Sequence, residues 1–331
     1  VEASGLRGRG GGWFPAWRKW KAVRVEGGDP VVVANGAEGE PGSFKDRYVM
    51  TRHAEDVVRG LTLAARAVGA QDAIVFLKSS FDRAAEALES ALASADLDGV
   101  AVSLRRGDDS YIAGEETALL ETLEGRRAWP RPKPPLPAAV GLDGRPTLVQ
   151  NVETLARVPA AVADPAGFRG SETTFVTLWG DVRRPGVYEV PLGTPVSNLV
   201  ENRGGGCPED VGMVFPGGPA GPPLGPEELD TPLSPDTLRE AGSALGAAAV
   251  LVIGASACPL AVASSLATFF ERENCGQCPP CAVGTASLAR IFRGLEDGRG
   301  RPRDLRDLAD VAGFMSGHGY CGHCRSAATL A

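Results

Sequence analysis

The sequence predicts an α/β protein in three parts: a parallel sheet flanked by helices, a small β-rich unit, and a helical C-terminal segment. Three observations predict it. Across the first half, apolar spacing switches repeatedly between the strand and the helix period, the signature of alternating strands and helices. Near Gly170 the pattern becomes short β-branched runs between Gly and Pro. From about Pro259 it is helical to the end, and five of the seven cysteines lie there.

In order, Val31 to Ala34 is a short strand before a Gly-rich turn, and His53 to Val68 has helical spacing ending near Gly69. Ala73 to Leu77 reads as a strand, Phe81 to Ala95 as a helix and Val100 to Leu104 as a strand, which predicts a parallel sheet. Glu115 to Glu124 and Asn151 to Ala163 are helical, separated by a Pro-rich stretch that must be extended or turning. Thr174 to Leu178, Gly186 to Val190 and Met213 to Phe215 are short strands, with a short helix at Pro195 to Glu201. Val250 to Ile253 either closes that sheet or returns to the first one. Leu260 to Arg272, Val283 to Leu295 and Leu305 to Met315 are helices.

A chain of 331 residues has room for two or three domains, and 43% hydrophobic residues support a sizeable core. Gly 43 and Pro 26 predict many turns and backbone-built loops, and the net charge of -7 argues against a nucleic-acid partner. No apolar run approaches the about 18 residues needed to cross a bilayer. No basic-then-apolar leader is visible, so clustered cysteines fit a reducing cytoplasm and metal ligation better than disulfides. The chain opens directly in a glycine-rich motif, and natural residues ahead of it are expected to have been trimmed.

Cys275-Gly-Gln-Cys278-Pro-Pro-Cys281 and Cys321-Gly-His-Cys324 carry the strongest chemical signal. Three thiols this close in sequence cannot staple a fold, but they can converge on one metal centre. A fourth from Cys321 completes the ligand set of a cubane iron–sulfur cluster. With His318 and His323 nearby, a mixed Cys/His zinc site is the rival, although zinc usually takes two separated cysteine pairs. Cys324 reads as a free thiol near the bundle surface, or as a substitute for Cys321. Cys207 and Cys258 read as buried packing thiols.

Gly5-Leu-Arg-Gly8-Arg-Gly10-Gly11-Gly12 lets backbone approach a flat or phosphorylated ligand, with Arg7, Arg9 and Lys19 supplying positive charge; a flexible terminal tail is equally open. Asn35 to Arg47 follows a predicted strand, where ligands of parallel sheets bind, and offers Glu38 and Glu40, although a solvated acidic turn is the plainer reading. Tyr111-Ile-Ala-Gly114-Glu115-Glu116 is a third polar loop at a strand end.

Taken together and in order, these segments, with Lys133-Pro-Pro135, Asn151-Val-Glu153-Thr154, Gly180 to Thr194 and the cysteine region, resemble the flavin-carrying, NADH-oxidising subunit of respiratory complex I and its relatives in NAD-linked hydrogenases and formate dehydrogenases. The resemblance implies a Rossmann-like FMN- and NADH-binding α/β domain over 1–168. A ubiquitin-like β-grasp (SLBB) domain would follow over 169–256, and a helical bundle holding a 4Fe–4S cluster over 257–331. It implies an electron-input module that oxidises NAD(P)H by hydride transfer to FMN and passes single electrons to the cluster, then to a partner protein or quinone-linked complex. The alternative is a non-catalytic, cluster-bearing relay or scaffold subunit with a degenerate nucleotide pocket.

Residue by residue, Gly8, Arg9, Gly10, Gly11, Lys19, Asn35, Glu38, Tyr111, Gly114, Glu115 and Asn151 match flavin positions. Glu40, Glu116 and Lys133 match positions near the nicotinamide nucleotide, with Glu40 and Glu116 the catalytic candidates. Cys275, Cys278, Cys281 and Cys321 match the cluster ligands. The implied cofactors are FMN, NAD(H) and the cluster. The implied partners are NADH and a ferredoxin-like iron–sulfur subunit, with no nucleic acid and no membrane span of its own. The expected place is the cytoplasm, or the inner face of the cell membrane as part of a membrane-associated complex. Departures cluster in the pocket: Trp13 and Trp17 replace two glycines, Ala37 an aspartate and Gln150 an asparagine, while Ala22 and Leu136 stand where aromatic residues could stack. The two indoles are expected either to fill volume meant for the ligands or to stack on a flat ring.

Overall fold

The computed structural model describes residues 1–331. The first part runs α1 (Ala16–Glu26), β1 (Val31–Gly36), α2 (Lys45–Arg52), α3 (Ala54–Val68), β2 (Asp72–Lys78), α4 (Asp82–Ser94), β3 (Ala101–Gly107), α5 (Glu116–Leu123), β4 (Thr147–Asn151), α6 (Val152–Ala163) and α7 (Pro165–Gly170). Its four strands are all parallel, in the order β3-β2-β1-β4. Alternation along β1 explains the layering. Val32 and Ala34 face a core with Val57, Leu61 and Leu155 from α3 and α6, while Val31 and Val33 face Leu119 and Leu120 of α5. With helices on both faces, β1 is apolar throughout rather than alternating.

The chain winds outward from β1 to β2 and β3, then returns to place β4 on the other flank of β1. The gap between the carboxyl ends of β1 and β4 is therefore a topological switch point, where ligands of open α/β sheets bind. Asn35 and Asn151 stand opposite each other there.

The second part contains β5 (Thr173–Gly180), β6 (Gly186–Pro191), α8 (Val196–Asn198), β7 (Val211–Phe215), α9 (Pro235–Glu240) and β8 (Ala249–Gly254). The order is β6-β5-β8-β7, with β5 parallel to β8 and the other pairs antiparallel. The Val250 strand thus closes this sheet. Leu199, Val200 and Leu238 cover its inner residues Val176, Leu178, Val250 and Val252. The third part is α10 (Pro259–Arg272), α11 (Pro279–Glu296), α12 (Pro302–Met315) and α13 (Gly322–Ala328), packed around Phe270, Leu288, Phe292 and Met315. Proline opens α10, α11 and α12, where its missing N–H leaves no bond unmade.

Two elements near the site lie outside the sequence reading. α2 has no apolar stripe because two of its four buried residues are Lys45 and Asp46. β4 is five residues long and acquires its meaning only by pairing with β1.

Candidate functional site

A cavity of about 450 Å³ opens at the switch point, where all three parts of the chain meet. The N-terminal loop contributes Arg9, Gly10 and Gly11; the loops after β1, β3 and β4 contribute Asn35, Glu38, Glu40, Tyr111, Gly114, Glu115 and Asn151. The β-grasp part adds Gly217, Ala220 and Gly246, and the C-terminal part adds Cys321 and His323. Gly8, Lys19, Glu116, Lys133, Cys275, Cys278 and Cys281 stand outside its lining.

Polar side chains hold the loops in register. Asn35 Nδ2 donates to the Gly114 carbonyl (2.9 Å), joining the loops after β1 and β3. Asn151 Oδ1 caps α6 by accepting from the Glu153 amide (2.9 Å), and its Nδ2 donates to Asp46 (2.7 Å). Glu115 caps α5 through the amides of Thr117 (2.8 Å) and Ala118 (2.9 Å). Glu38 accepts from Ser43 Oγ (2.5 Å), the Asp46 amide (3.0 Å) and Arg47 Nε (3.0 Å), so it organises its own loop. Glycines keep the walls bare: a Cβ on Gly114 would stand 2.7 Å from the Ala37 carbonyl, and one on Gly10 3.2 Å from Asn151 Cβ. A cavity of this size with backbone walls and convergent amides fits a flat, polar ligand such as a flavin.

The cations of the glycine loop are committed elsewhere. Arg7 pairs with Asp236 at the surface. The Arg9 guanidinium is buried, donates to Glu172 (2.7 Å) and the Thr173 carbonyl (3.2 Å), and lies 4.3 Å over the Trp13 ring. Burial lowers its pKa despite Glu153 and Glu172. Lys19 donates to Glu116 (2.7 Å), and Lys133 bridges Glu115 (2.9 Å) and Glu116 (2.8 Å). Burial alone would raise the Glu116 carboxyl, but the two lysines outweigh it and hold it down to about 2.

Under the floor, Lys45 Nζ joins Asp46 (2.6 Å) to Glu153 (3.0 Å) in a fully packed ion cluster. Glu40 is different. Its only partners are Tyr111 Oη (3.1 Å) and the Ala220 amide (3.2 Å), and burial pushes its carboxyl up to about 7 against both.

Neither Trp13 nor Trp17 lines the cavity. Trp13 takes a left-handed backbone (φ +49) that turns its ring away into the β-grasp core, where Nε1 donates to the Gly246 carbonyl at 2.9 Å. The expectation that these indoles fill or stack in the pocket is corrected: Trp13 is a tether between two parts of the molecule. Trp17 lies half-buried on α1 beside Arg18 and Lys21. Gln150 accepts from Trp20 Nε1 at 3.4 Å, and Leu136 is exposed.

The cysteines gather next to this cavity. Cys278 stands at the N-cap of α11 and Cys281 lies in its first turn, both in the bundle core; Cys275 and Cys321 pack against the cluster of Ile112, Ala113, Ala118 and Ala128. Burial raises the Cys281 thiol, with Cys324, Cys278 and Cys321 adding to it, and raises Cys321 to about 11. No three His, Cys, Asp or Glu side chains converge tightly enough for a single metal ion, which disfavours the mixed zinc site. A cubane takes four thiolates, one on each iron, and Cys275, Cys278, Cys281 and Cys321 supply that number, none of them in a disulfide. Two thiol expectations are corrected: Cys258 is exposed, at the start of α10, and Cys324 is buried.

Sequence reasoning did not single out Lys45, Asp46 or the β-grasp glycines, and read His323 only as a candidate ligand of the rival zinc site. The ring Nε2 of His323 donates to the Phe270 carbonyl (2.9 Å), and its Nδ1 is buried without a partner. The Cys-Gly-His-Cys spacing was the one available signal for His323; Lys45 and Asp46 close the Asn35 to Arg47 segment without a signal of their own, and the β-grasp glycines lie far from any motif.

Comparison with known proteins decides the lineage. Along 97% of its length the chain is 40% identical to the F 2 subunit of the NADH-quinone oxidoreductase of Rhizobium meliloti, covering 82% of that protein. The chain belongs to the family of NADH-oxidising flavoprotein subunits of complex I. Within this flavoprotein family it is also 36% identical, over 97% of its length, to the mitochondrial NADH-ubiquinone oxidoreductase 51 kDa subunit of Neurospora crassa, covering 71% of that protein. Residues 1–160 match the Nuo51 FMN-binding domain, 175–219 the SLBB domain, and 261–331 the NADH-ubiquinone oxidoreductase-F iron-sulfur binding region. Among solved structures, a chain of the NAD+-reducing [NiFe]-hydrogenase in its H2-reduced state superposes with a TM-score of 0.92 at 34% identity. The match covers all of this chain and 59% of that one. The architecture of the flavoprotein family thus accounts for the three parts of the fold.

Proposed function

We propose that this chain is an electron-input module that oxidises NADH and hands single electrons to a partner iron–sulfur subunit. One observation carries the reading: a single cavity has flavin-type loops on one side and the cluster thiol Cys321 on another. When bound, FMN takes up two electrons as a hydride and a 4Fe–4S cluster passes electrons on one at a time. Gly10, Gly11, Asn35, Glu38, Tyr111, Gly114, Glu115 and Asn151 hold the flavin, with Gly8 and Arg9 setting the loop's course. Lys19 belongs with the flavin loop, Glu116 and Lys133 form a charged rim for the nicotinamide nucleotide, and Glu40 lies on the inner wall where its proton can respond to charge in the cavity. Cys275, Cys278, Cys281 and Cys321 hold the cluster. We place the domain boundaries at 168/169, within the short helix α7, and at 256/257, in the connection after β8.

With neither tryptophan lining the cavity, the motive for a pocket closed by indoles is gone. No helix is long and apolar enough to cross a membrane. We place the chain on the inner face of the cell membrane, held there by partner subunits. The test is anaerobic titration of the FMN- and iron-loaded protein with NADH, and separately with NADPH. Bleaching of the flavin band by NADH is expected; a flavin that neither nucleotide reduces would overturn the reading.

A further inference from the structure

The cluster region holds one thiol more than a cubane takes. Cys324 is 1% exposed and lies in the bundle core with Cys278, Cys281 and Met315. Its S–H donates weakly to the Met315 carbonyl at 3.4 Å, which does not commit the sulfur. The loop before α13 closes over it: a Cβ on Gly319 would stand 2.3 Å from Cys324 Cβ and 2.9 Å from its Sγ. Cys321 is half-buried and opens to the cavity. Cys321 is the extended N-cap of α13 (φ -139, ψ 178), and Cys324 lies in the first turn, three residues on.

We propose that Cys324 is a reserve ligand of the cluster, taking over the iron that Cys321 holds when Cys321 is lost or displaced. The exchange balances without any electron moving. The iron–Cys321 bond breaks as the iron–Cys324 bond forms, Cys324 gives up its thiol proton, and Cys321 takes one up. Because the two thiols stand at the cap and in the first turn of one short helix, the swap leaves the other three ligands in place. Cys321 shares its wall with the cavity and is the thiol more open to damage, whereas Cys324 is sealed. The inference rests on the cluster assignment above.

The test compares the full chain with its Cys321→Ala, Cys324→Ala, Cys275→Ala and Cys321→Ala/Cys324→Ala forms, each reconstituted anaerobically with iron and sulfide. Iron and sulfide per chain are measured, with the electron paramagnetic resonance spectrum after reduction. Cys321→Ala should keep the unaltered iron and sulfide content with a shifted spectrum, Cys324→Ala should match the unaltered protein, and the double variant should lose the cluster. Loss in Cys321→Ala as complete as in Cys275→Ala overturns the proposal, as does loss in Cys324→Ala alone. Far-UV circular dichroism and a parallel Cys321→Ser variant separate ligand loss from misfolding. An unaltered protein without iron sinks the cluster assignment itself, which is a different failure from loss confined to Cys321→Ala.

Discussion

The two ends of the cavity are built in opposite ways. At the cluster end, three thiols come from seven consecutive residues and a fourth from one later turn, so local spacing does most of the placing. At the flavin end, no segment contributes more than a few groups. Four loops and three β-grasp glycines converge, held by helix caps, by the Lys45–Asp46–Glu153 ion cluster and by Trp13 reaching across to Gly246. The first kind of site tolerates drift in the surrounding fold, and the second depends on it.

The largest expected effect breaks the flavin end from beneath. Glu153 is fully buried, bonded to Thr174 Oγ1 (3.0 Å) and the Phe175 amide (2.9 Å), and it balances Lys45 and Arg9. Glu153→Ala leaves buried Lys45 with Asp46 alone and buried Arg9 with Glu172 alone, and should lower stability by about 3–5 kcal/mol in urea unfolding. It should release flavin while leaving the iron content of any folded protein unchanged.

Trp13→Gly comes next. The lost indole should reduce stability by about 2–4 kcal/mol, less than a full core truncation because glycine accepts the φ of +49 without strain. Flavin should bind more weakly, as measured by fluorescence titration. Tighter flavin binding would instead mean that the indole obstructs the pocket.

Glu40 gives a smaller, pH-dependent effect. Its carboxyl sits at about 7 in the fold against an ordinary 4.5, so between those values the folded chain holds a proton that the unfolded chain has released. Stability therefore falls as pH rises from about 4.5 to 7, and the penalty is complete above that. Glu40→Gln should flatten this slope and raise stability at pH 8 by about 1–3 kcal/mol, read from thermal melts across the pH range. Smallest of all, Arg7→Ala removes only a surface pair with Asp236 and should change stability by about 0–1 kcal/mol with flavin content intact. Arg9, two residues away and fully buried, should not tolerate the same change.

The contrast also explains what could be read in advance. β1, β2 and β3, with α3, α4 and α6, were legible because apolar spacing follows burial. α2 was not, because its buried face is ionic and leaves no apolar period. Asn35 and Tyr111 were legible as loop residues at strand ends and Asn151 as the start of a helix, but the neighbours that hold them, such as Gly114 and Asp46, were set by the sheet order. Trp13 was misread because a Gly-to-Trp replacement in a ligand loop suggests obstruction, and its backbone angle, which turns the ring outward, is invisible in a string of letters.

By itself the sequence determined the three-part architecture, the thiol spacing and the flavin-type loops, since these depend on periodicity and on neighbours within a few residues. Only the tertiary structure decided that the loops and Cys321 share one cavity, that the Arg9 guanidinium and the Trp13 ring are committed to partners in the β-grasp part, and that Cys324 is sealed inside the bundle. The reason is physical: side-chain direction and burial depend on which distant segments pack together, and local spacing does not encode that.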